Sequence, residues 1–476
     1  MTDCYMPEPK SHGAYDLAVV GAGSAGFSAA ITAAEQGAEV ALVGHGTIGG
    51  TCVNVGCVPS KTMIRAAEVL HGARAASRFP GLSGEAHIMD WGALVAAKDD
   101  LVTTLRQRKY IDLLSAYPGI SYFDGAACLT TGGVAVGGRI VRAGKTIITT
   151  GAAPGQPDIP GFDDVPWLTS TTALELTDLP RSLIVIGGGY VGCELAQMFA
   201  RMGTRVTIVA RSRLLPEAEP EVSEALTGYL RDEGLMVHVG LAYRQVTRDE
   251  RGVGLIVEID GREETLRAEQ VLAATGRTPN TRGLDLHKNG VQRADSGAIS
   301  VDAMMRTSNP IIYAAGDVTG RDQFVYMAAY GGKVAALNAL NGDSLVYDNS
   351  AMPWVVFNDP QVAGVGLSAA TARNAGYDVK TSVLPLDQVP RALAARDARG
   401  LIKLVADAGT DRLLGGQILA PEAADSVQTL AVALKTGMTA KALGEMLFPY
   451  LTTVEGLKLA ALAFDKNVAT LSCCAG

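Results

Sequence analysis

Asp16-Leu-Ala-Val-Val20 runs straight into Gly21-Ala-Gly-Ser-Ala-Gly26, and this junction decides the fold. The apolar strand, the Gly-x-Gly-x-x-Gly loop, a helical run from Phe27 to Gln36 and a second strand from Glu39 to Val43 make one βαβ unit. Gly21, Gly23 and Gly26 let the backbone turn tightly and approach a pyrophosphate, which the helix N-terminus attracts. Ser24 and Ala25 complete the loop. The design recurs downstream. Ser182 to Ile186 reads as a strand, Gly187-Gly-Gly-Tyr-Val-Gly192 as the loop, Cys193 to Met202 as the helix and Arg205 to Val209 as the next strand. Two such units predict two bound dinucleotides.

The residue closing the second strand of each unit reports on the adenosine ribose. The first unit reads Val43-Gly44-His45, where a ribose-binding acid is usual, so that contact is unexplained. The second reads Ala210-Arg211-Ser212-Arg213, and replacing an acid by Arg211 and Arg213 favours a 2′-phosphate, hence NADPH over NADH.

A chain of 476 residues exceeds one ordinary core, which predicts several domains. Its net charge of −8 argues against a nucleic-acid surface, and no apolar run approaches the ~18 residues of a membrane helix. The polar stretch Met1 to Tyr15 lacks the apolar centre of a signal peptide, so a cytoplasmic protein is expected. The cysteines are Cys4, Cys52, Cys57, Cys128, Cys193, Cys473 and Cys474; an odd set with two adjacent members near the end is no secreted disulfide scaffold. Cys128 and Cys193 are expected to be small buried side chains.

Between Gly49 and Lys61 lies Gly-Gly-Thr-Cys-Val-Asn-Val-Gly-Cys-Val-Pro-Ser-Lys. Two thiols this close can form a disulfide across one helical turn or hold a soft metal. The stretch resembles the redox-active disulfide of the flavin-dependent pyridine nucleotide-disulphide oxidoreductases. Thr275-Gly-Arg-Thr-Pro-Asn280 and Ile312-Tyr-Ala-Ala-Gly-Asp317 extend the likeness over nearly the whole chain. It implies an α/β fold: two Rossmann-like dinucleotide-binding domains, for FAD and NADPH, plus a C-terminal α+β dimerisation domain. The implied order is FAD domain (1–154), inserted NADPH domain (155–279), FAD domain resumed (280–346) and dimerisation domain (347–476). A homodimer with active sites shared between subunits follows from the same resemblance.

The resemblance also assigns roles. Cys57 is the flavin-proximal thiol and Cys52 the outer, exchanging one. Lys61 and Glu194 form an ion pair near the flavin's reactive nitrogen, where a cation stabilises developing negative charge. Tyr190 covers the flavin where nicotinamide docks. Gly50, Thr51, Thr150, Gly151 and Asp317 join the first loop at FAD, with Asp317 on the ribityl chain. Gly187, Gly189, Val191, Gly276 and Arg277 belong to the nucleotide sites.

Two features choose the acceptor. Members that reduce organic disulfides place a proton-shuttling His before Pro-Thr and a nearby Glu. Here Phe448-Pro-Tyr-Leu-Thr-Thr-Val-Glu455 keeps Glu455 but puts Tyr450 in the place of the His, and a phenol of pKa ~10 is a poor base at neutral pH. The second is Leu471-Ser-Cys-Cys-Ala-Gly476, whose vicinal thiols trap a thiophilic cation at high effective concentration. Together these resemble the branch of the family that reduces thiol-bound Hg(II). That likeness implies a relay in which Cys473 and Cys474 of one subunit pass mercury to Cys52 and Cys57 of the other, with Tyr450 and Tyr110 near the transfer point. A disulfide-reducing member with a C-terminal thiol pair is the nearest rival, and it would need the missing His.

Overall fold

A computed structural model describes residues 14–470, so Cys4, Cys473 and Cys474 lie outside the described residues. Strands without polar alternation have to be covered on both faces, and the first βαβ unit obeys this rule. Leu17, Ala18 and Val19 of β1 (Tyr15–Val20) are wholly buried, as are Val40 to Leu42 of β2 (Val40–Gly44). The connecting helix α1 (Ser24–Glu35) begins inside the glycine loop, three residues earlier than the apolar pattern suggests.

The chain divides into two compact units. The first holds residues 1–62, 92–155 and 276–348. At its centre β1 pairs in parallel with β2 on one side and with Arg139–Ile148 on the other. β3 (Ile120–Asp124) extends the sheet beyond β2, and the returning chain adds Ile312–Ala314 in parallel to Arg139–Ile148. The sheet therefore ends its parallel strands on one rim, which is where the glycine loop lies. α1 packs against the helix Val325–Asn341 so closely that a Cβ on Gly332 would sit 2.2 Å from the Ala25 carbonyl oxygen.

The second unit holds residues 63–91, 156–275 and 349–476. Its nucleotide half is a parallel sheet in the order Met236–Val239, Arg205–Ala210, Ser182–Ile186, Gln270–Ala273. A three-stranded antiparallel sheet, Ala242–Asp249, Gly252–Ile259 and Arg262–Ala268, is an addition the sequence pattern did not announce. The C-terminal part is a five-stranded antiparallel sheet in the order Pro353–Val356, Gln361–Gly366, Leu413–Ala420, Leu401–Asp407, Val379–Pro385. Helices Ala423–Lys435 and Glu455–Leu462 close its core with Val427, Leu430 and Leu457.

The two parts of this second unit are tied by buried charge. Arg201 reaches Glu233 at 2.7 Å and Asp359 at 2.9 Å, while Arg399 bonds Asp359 at 3.0 Å and Asp397 at 2.8 Å. Arg201 is only 5% exposed, so its removal takes from Glu233 and Asp359 the buried one of the two cations they share with Arg399. Arg201→Met should lower the unfolding free energy by about 3 kcal/mol. This would be seen as a lower urea midpoint; an unchanged midpoint would mean the cluster contributes nothing net.

Candidate active site

Each phosphate loop is built from glycines with distinct duties. A Cβ on Gly21 would stand 2.3 Å from the Thr149 carbonyl oxygen, and one on Gly26 would stand 1.8 Å from that of Gly21. These two glycines let strand, loop and helix touch. In the second unit Gly187 and Gly192 repeat both restrictions, at 2.3 Å from the Ala274 oxygen and 2.0 Å from the Gly187 oxygen. Gly189 differs: nothing lies within 4 Å of its Cβ position, so the backbone there faces open space. Neither Gly23 nor Gly189, the N-caps of α1 and of Tyr190–Arg201, gives a side-chain hydrogen bond to its helix. Orphan N–H groups beside an open glycine are the donor set that a pyrophosphate satisfies.

The thiols sit on two short-linked helices. α2 (Gly50–Asn54) carries Cys52, and α3 (Cys57–Arg74) starts with Cys57. α2 is seated on the phosphate loop, for a Cβ on Gly50 would lie 2.6 Å from the Gly23 Cα. Gly49 and Gly50 both take positive φ, +100° and +68°, which the approach requires. Asn54 locks the turn by donating to the carbonyls of Ile48 and Gly50, each at 2.9 Å, and Arg106 donates to the Asn54 oxygen at 3.2 Å. Both cysteines are free thiols, Cys57 exposed and Cys52 partly covered. The Cys52 pKa is raised well above the thiol range, first by its hydrogen bond with Cys57, then by burial and by the Cys57 charge; the nearby Lys61 cation pulls the other way.

Tyr110 closes the same corner. The helix Trp91–Arg106 runs on into a π-turn, Gln107–Ile111, that carries this tyrosine. Its ring meets Phe27 edge-on at 4.9 Å, its hydroxyl shares a 3.3 Å hydrogen bond with Ser24, and burial pushes its phenol up. Thr51, Arg277 and Asp317 form a further group. Arg277 donates to the Ala152 carbonyl, approaches Thr51 at 3.5 Å and faces Asp317 at 3.6 Å. Burial raises Asp317 against the pull of Arg277, and the buried Arg277 Nε has no hydrogen-bond partner. Polar groups held this way fit a hydroxyl-bearing ligand. Beside them Thr150 and Asn280 exchange hydrogen bonds at 2.7 and 2.9 Å, and Gly151 and Gly276 take positive φ.

In the second unit Glu194 is buried and accepts a hydrogen bond from the Phe357 amide at 2.9 Å. Tyr190 stacks on Trp354 with centroids 5.6 Å apart, while Val191 is exposed. Arg211 is exposed at its strand end, but Arg213 donates to the carbonyls of Pro216 and Ala218 at 2.8 and 2.6 Å. Both arginines are exposed, and Arg213 in addition braces its own loop through one guanidinium nitrogen.

The sequence profile of the pyridine nucleotide-disulphide oxidoreductases matches residues 15–332, and that of their dimerisation domain matches 352–461. This chain belongs to that family. Relatives named mercuric reductase include one from Streptomyces lividans, 46% identical over 98% of this chain and 100% of the relative, and one from Staphylococcus aureus, 46% identical over 98% and 85%. A third, from Shigella flexneri, is 47% identical over 98% and 84%. Among solved structures, the HOCl-induced flavoprotein disulfide reductase RclA from Escherichia coli matches with a TM-score of 0.82 at 29% identity, over 94% of this chain and 99% of that one. FAD and NADPH are the cofactors of an oxidoreductase of this family, and the two loops described above have the backbone that both need.

Where an organic-disulfide reductase of the family needs its His, the structure has Tyr450, half exposed, followed by Leu451 in left-handed conformation. The Leu451 amide donates to Glu455 at 3.2 Å, so Glu455, itself buried, braces the turn. Cys473 and Cys474, the expected mercury-delivering pair, fall outside the described residues. Among the described residues no cluster of three or more His, Cys, Asp or Glu could hold a metal. Cys193 is wholly buried as expected, but Cys128 is partly exposed and donates to Asp285 at 3.2 Å, because its strand lies at the sheet's rim.

Sequence reasoning missed Trp354 and Asn54. Trp354 acts on Tyr190 from more than a hundred residues away, and Asn54 looks like any helix asparagine until its two carbonyl partners are seen. The protonation of the pair is directly testable. In Cys57→Ala the hydrogen bond and charge that raise Cys52 are gone, so Cys52 should ionise at lower pH. Iodoacetamide labelling of Cys52 at pH ~8, followed by peptide mass, should then be faster than in the reduced parent. Equal or slower labelling would contradict the assignment.

Proposed function

We propose that this protein is an NADPH-dependent, FAD-containing homodimer that reduces thiol-bound Hg(II) to elemental mercury in the cytoplasm, as a detoxifying enzyme. The observation that carries the reading is the Cys52–Cys57 pair, two free thiols in hydrogen-bond contact beside the Lys61 charge. The names of the 41–47% identical relatives support the substrate. Residues 1–154 and 280–346 form the FAD domain, 155–279 the NADPH domain and 347–476 the dimerisation domain in this reading, which the family's dimerisation profile over 352–461 supports.

The protein's own groups do the following. Cys473 and Cys474 of the partner subunit displace the small thiols on Hg(II) one at a time and hand the ion to Cys52 and Cys57. Each transfer replaces one Hg–S bond by another, so a bare dication is never released. Ligation requires the thiolate, so any proton the Cys52–Cys57 pair holds leaves as the ion arrives. Tyr450 steadies the ion in transit, and Tyr110 holds the inner pair's surroundings through Ser24 and Phe27. The first loop (Gly21, Gly23, Ser24, Ala25, Gly26) with Gly50, Thr51, Thr150, Gly151, Arg277 and Asp317 holds FAD. The second loop (Gly187, Gly189, Val191) with Gly276, Arg211 and Arg213 holds NADPH, and Tyr190 covers the nicotinamide position. FAD and NADPH, when bound, supply the electron pair that reduces the metal, and Lys61 with Glu194 offsets charge at the flavin.

In the test, NADPH oxidation by the FAD-loaded protein should require Hg(II) in the presence of excess small thiol, and Cys52→Ala or Cys57→Ala should reduce it to background. Oxidation driven by lipoamide or thioredoxin but not by Hg(II) would overturn the assignment. Arg211→Glu should raise KM for NADPH about tenfold while sparing NADH, the selectivity expected on losing a phosphate-binding guanidinium. An equal change for both nucleotides would remove Arg211 from the 2′-phosphate site.

A further inference from the structure

The acid that should end β2 is absent, yet the space where its side chain would begin is filled. A Cβ built on Gly44 would lie 2.3 Å from the Tyr122 hydroxyl and 2.9 Å from the Cβ of Ala22. Tyr122 comes from β3, the neighbouring parallel strand, and Ala22 is the second residue of the first phosphate loop. The hydroxyl of Tyr122 is therefore delivered to the mouth of that loop across a notch that only glycine leaves open. Any larger residue at position 44 collides with it.

The tyrosine as a whole is 8% exposed, but its hydroxyl bonds no described residue and is not sealed from solvent, so it is open at the mouth of the loop. A hydroxyl open at that point can exchange water for a ligand's hydroxyl group. Asp124 lies directly opposite Gly44 in the register and on the same face of β3 as Tyr122. Burial, and then the Asp124 charge, push the Tyr122 phenol up to about 12, so it is a neutral donor at any physiological pH. In a dinucleotide-binding unit of this kind, the group at the end of the second strand hydrogen-bonds the adenosine ribose.

We infer that the Tyr122 hydroxyl, received by the Gly44 notch, is the adenosine-ribose ligand of FAD in this protein and replaces the missing acid from the adjacent strand. The inference rests on the reading that FAD occupies the first unit. A tyrosine here gives a neutral hydroxyl where other dinucleotide units place a carboxylate. The ribose is held by one hydrogen bond and no charge.

The test is FAD binding to apoprotein, followed by flavin fluorescence, with the melting temperature of each apoprotein recorded. Tyr122→Phe should weaken FAD about tenfold with unchanged melting, the effect of one lost hydrogen bond. With an FAD analogue lacking the adenosine 2′-hydroxyl, parent and Tyr122→Phe should bind alike, which a packing defect would not produce. Gly44→Glu combined with Tyr122→Val, which moves the polar group back to β2, should bind FAD more tightly than Tyr122→Val alone. If the parent binds FAD and Tyr122→Phe binds it equally well, the inference is overturned while the FAD site stands. If the parent binds no FAD, both fall.

Discussion

The constraint that joins thiol chemistry to cofactor binding in the first unit is a backbone contact between two glycines. Gly50 opens the helix that carries Cys52, and Gly23 sits at the bend of the phosphate loop; a single Cβ on Gly50 would come 2.6 Å from the Gly23 Cα. Because both are glycine, the thiol helix rests directly on the loop that fits a pyrophosphate. Cofactor binding and thiol placement thus share one backbone. The positive φ of Gly49 and Gly50, the Asn54 bonds to Ile48 and Gly50, and the Arg106 brace on Asn54 all serve to keep that contact.

From that seating follows the chemistry of the pair. Two thiols in hydrogen-bond contact push the Cys52 pKa up, and a lysine charge lies near enough to pull against it. Such a pair needs a base only if protons must be shuttled through disulfide exchange. With a thiophilic ion, the metal itself displaces the protons, and the absence of a His in the Phe448–Glu455 turn ceases to be a defect. Glu455, which would have oriented that His, supports the Leu451 amide instead.

Much of this was legible in the residues because backbone constraints leave local marks. The glycine loops, the thirteen-residue stretch from Gly49 to Lys61 and the apolar strands each carry their reason in a few neighbouring positions. Ser182–Ile186 was read to the residue, since a fully buried strand bounded by proline and glycine has little freedom. What stayed hidden depends on partners distant in sequence. Gly44 reads as a loss until Tyr122 is seen to occupy its place, and the bonds of Arg213 to the carbonyls of Pro216 and Ala218 leave no mark in the sequence. Cys128 was expected to be buried from residue type alone, but its short strand lies at the rim of the sheet.

The central claim is that Cys52 and Cys57 together are the site at which Hg(II) is held for reduction. Anomalous diffraction from crystals of the FAD-loaded dimer, soaked with Hg(II) without NADPH, tests it most directly. The account predicts a mercury peak bridging the Cys52 and Cys57 sulfurs of one chain. A dimer in which mercury binds at other thiols while these two remain unliganded would contradict it.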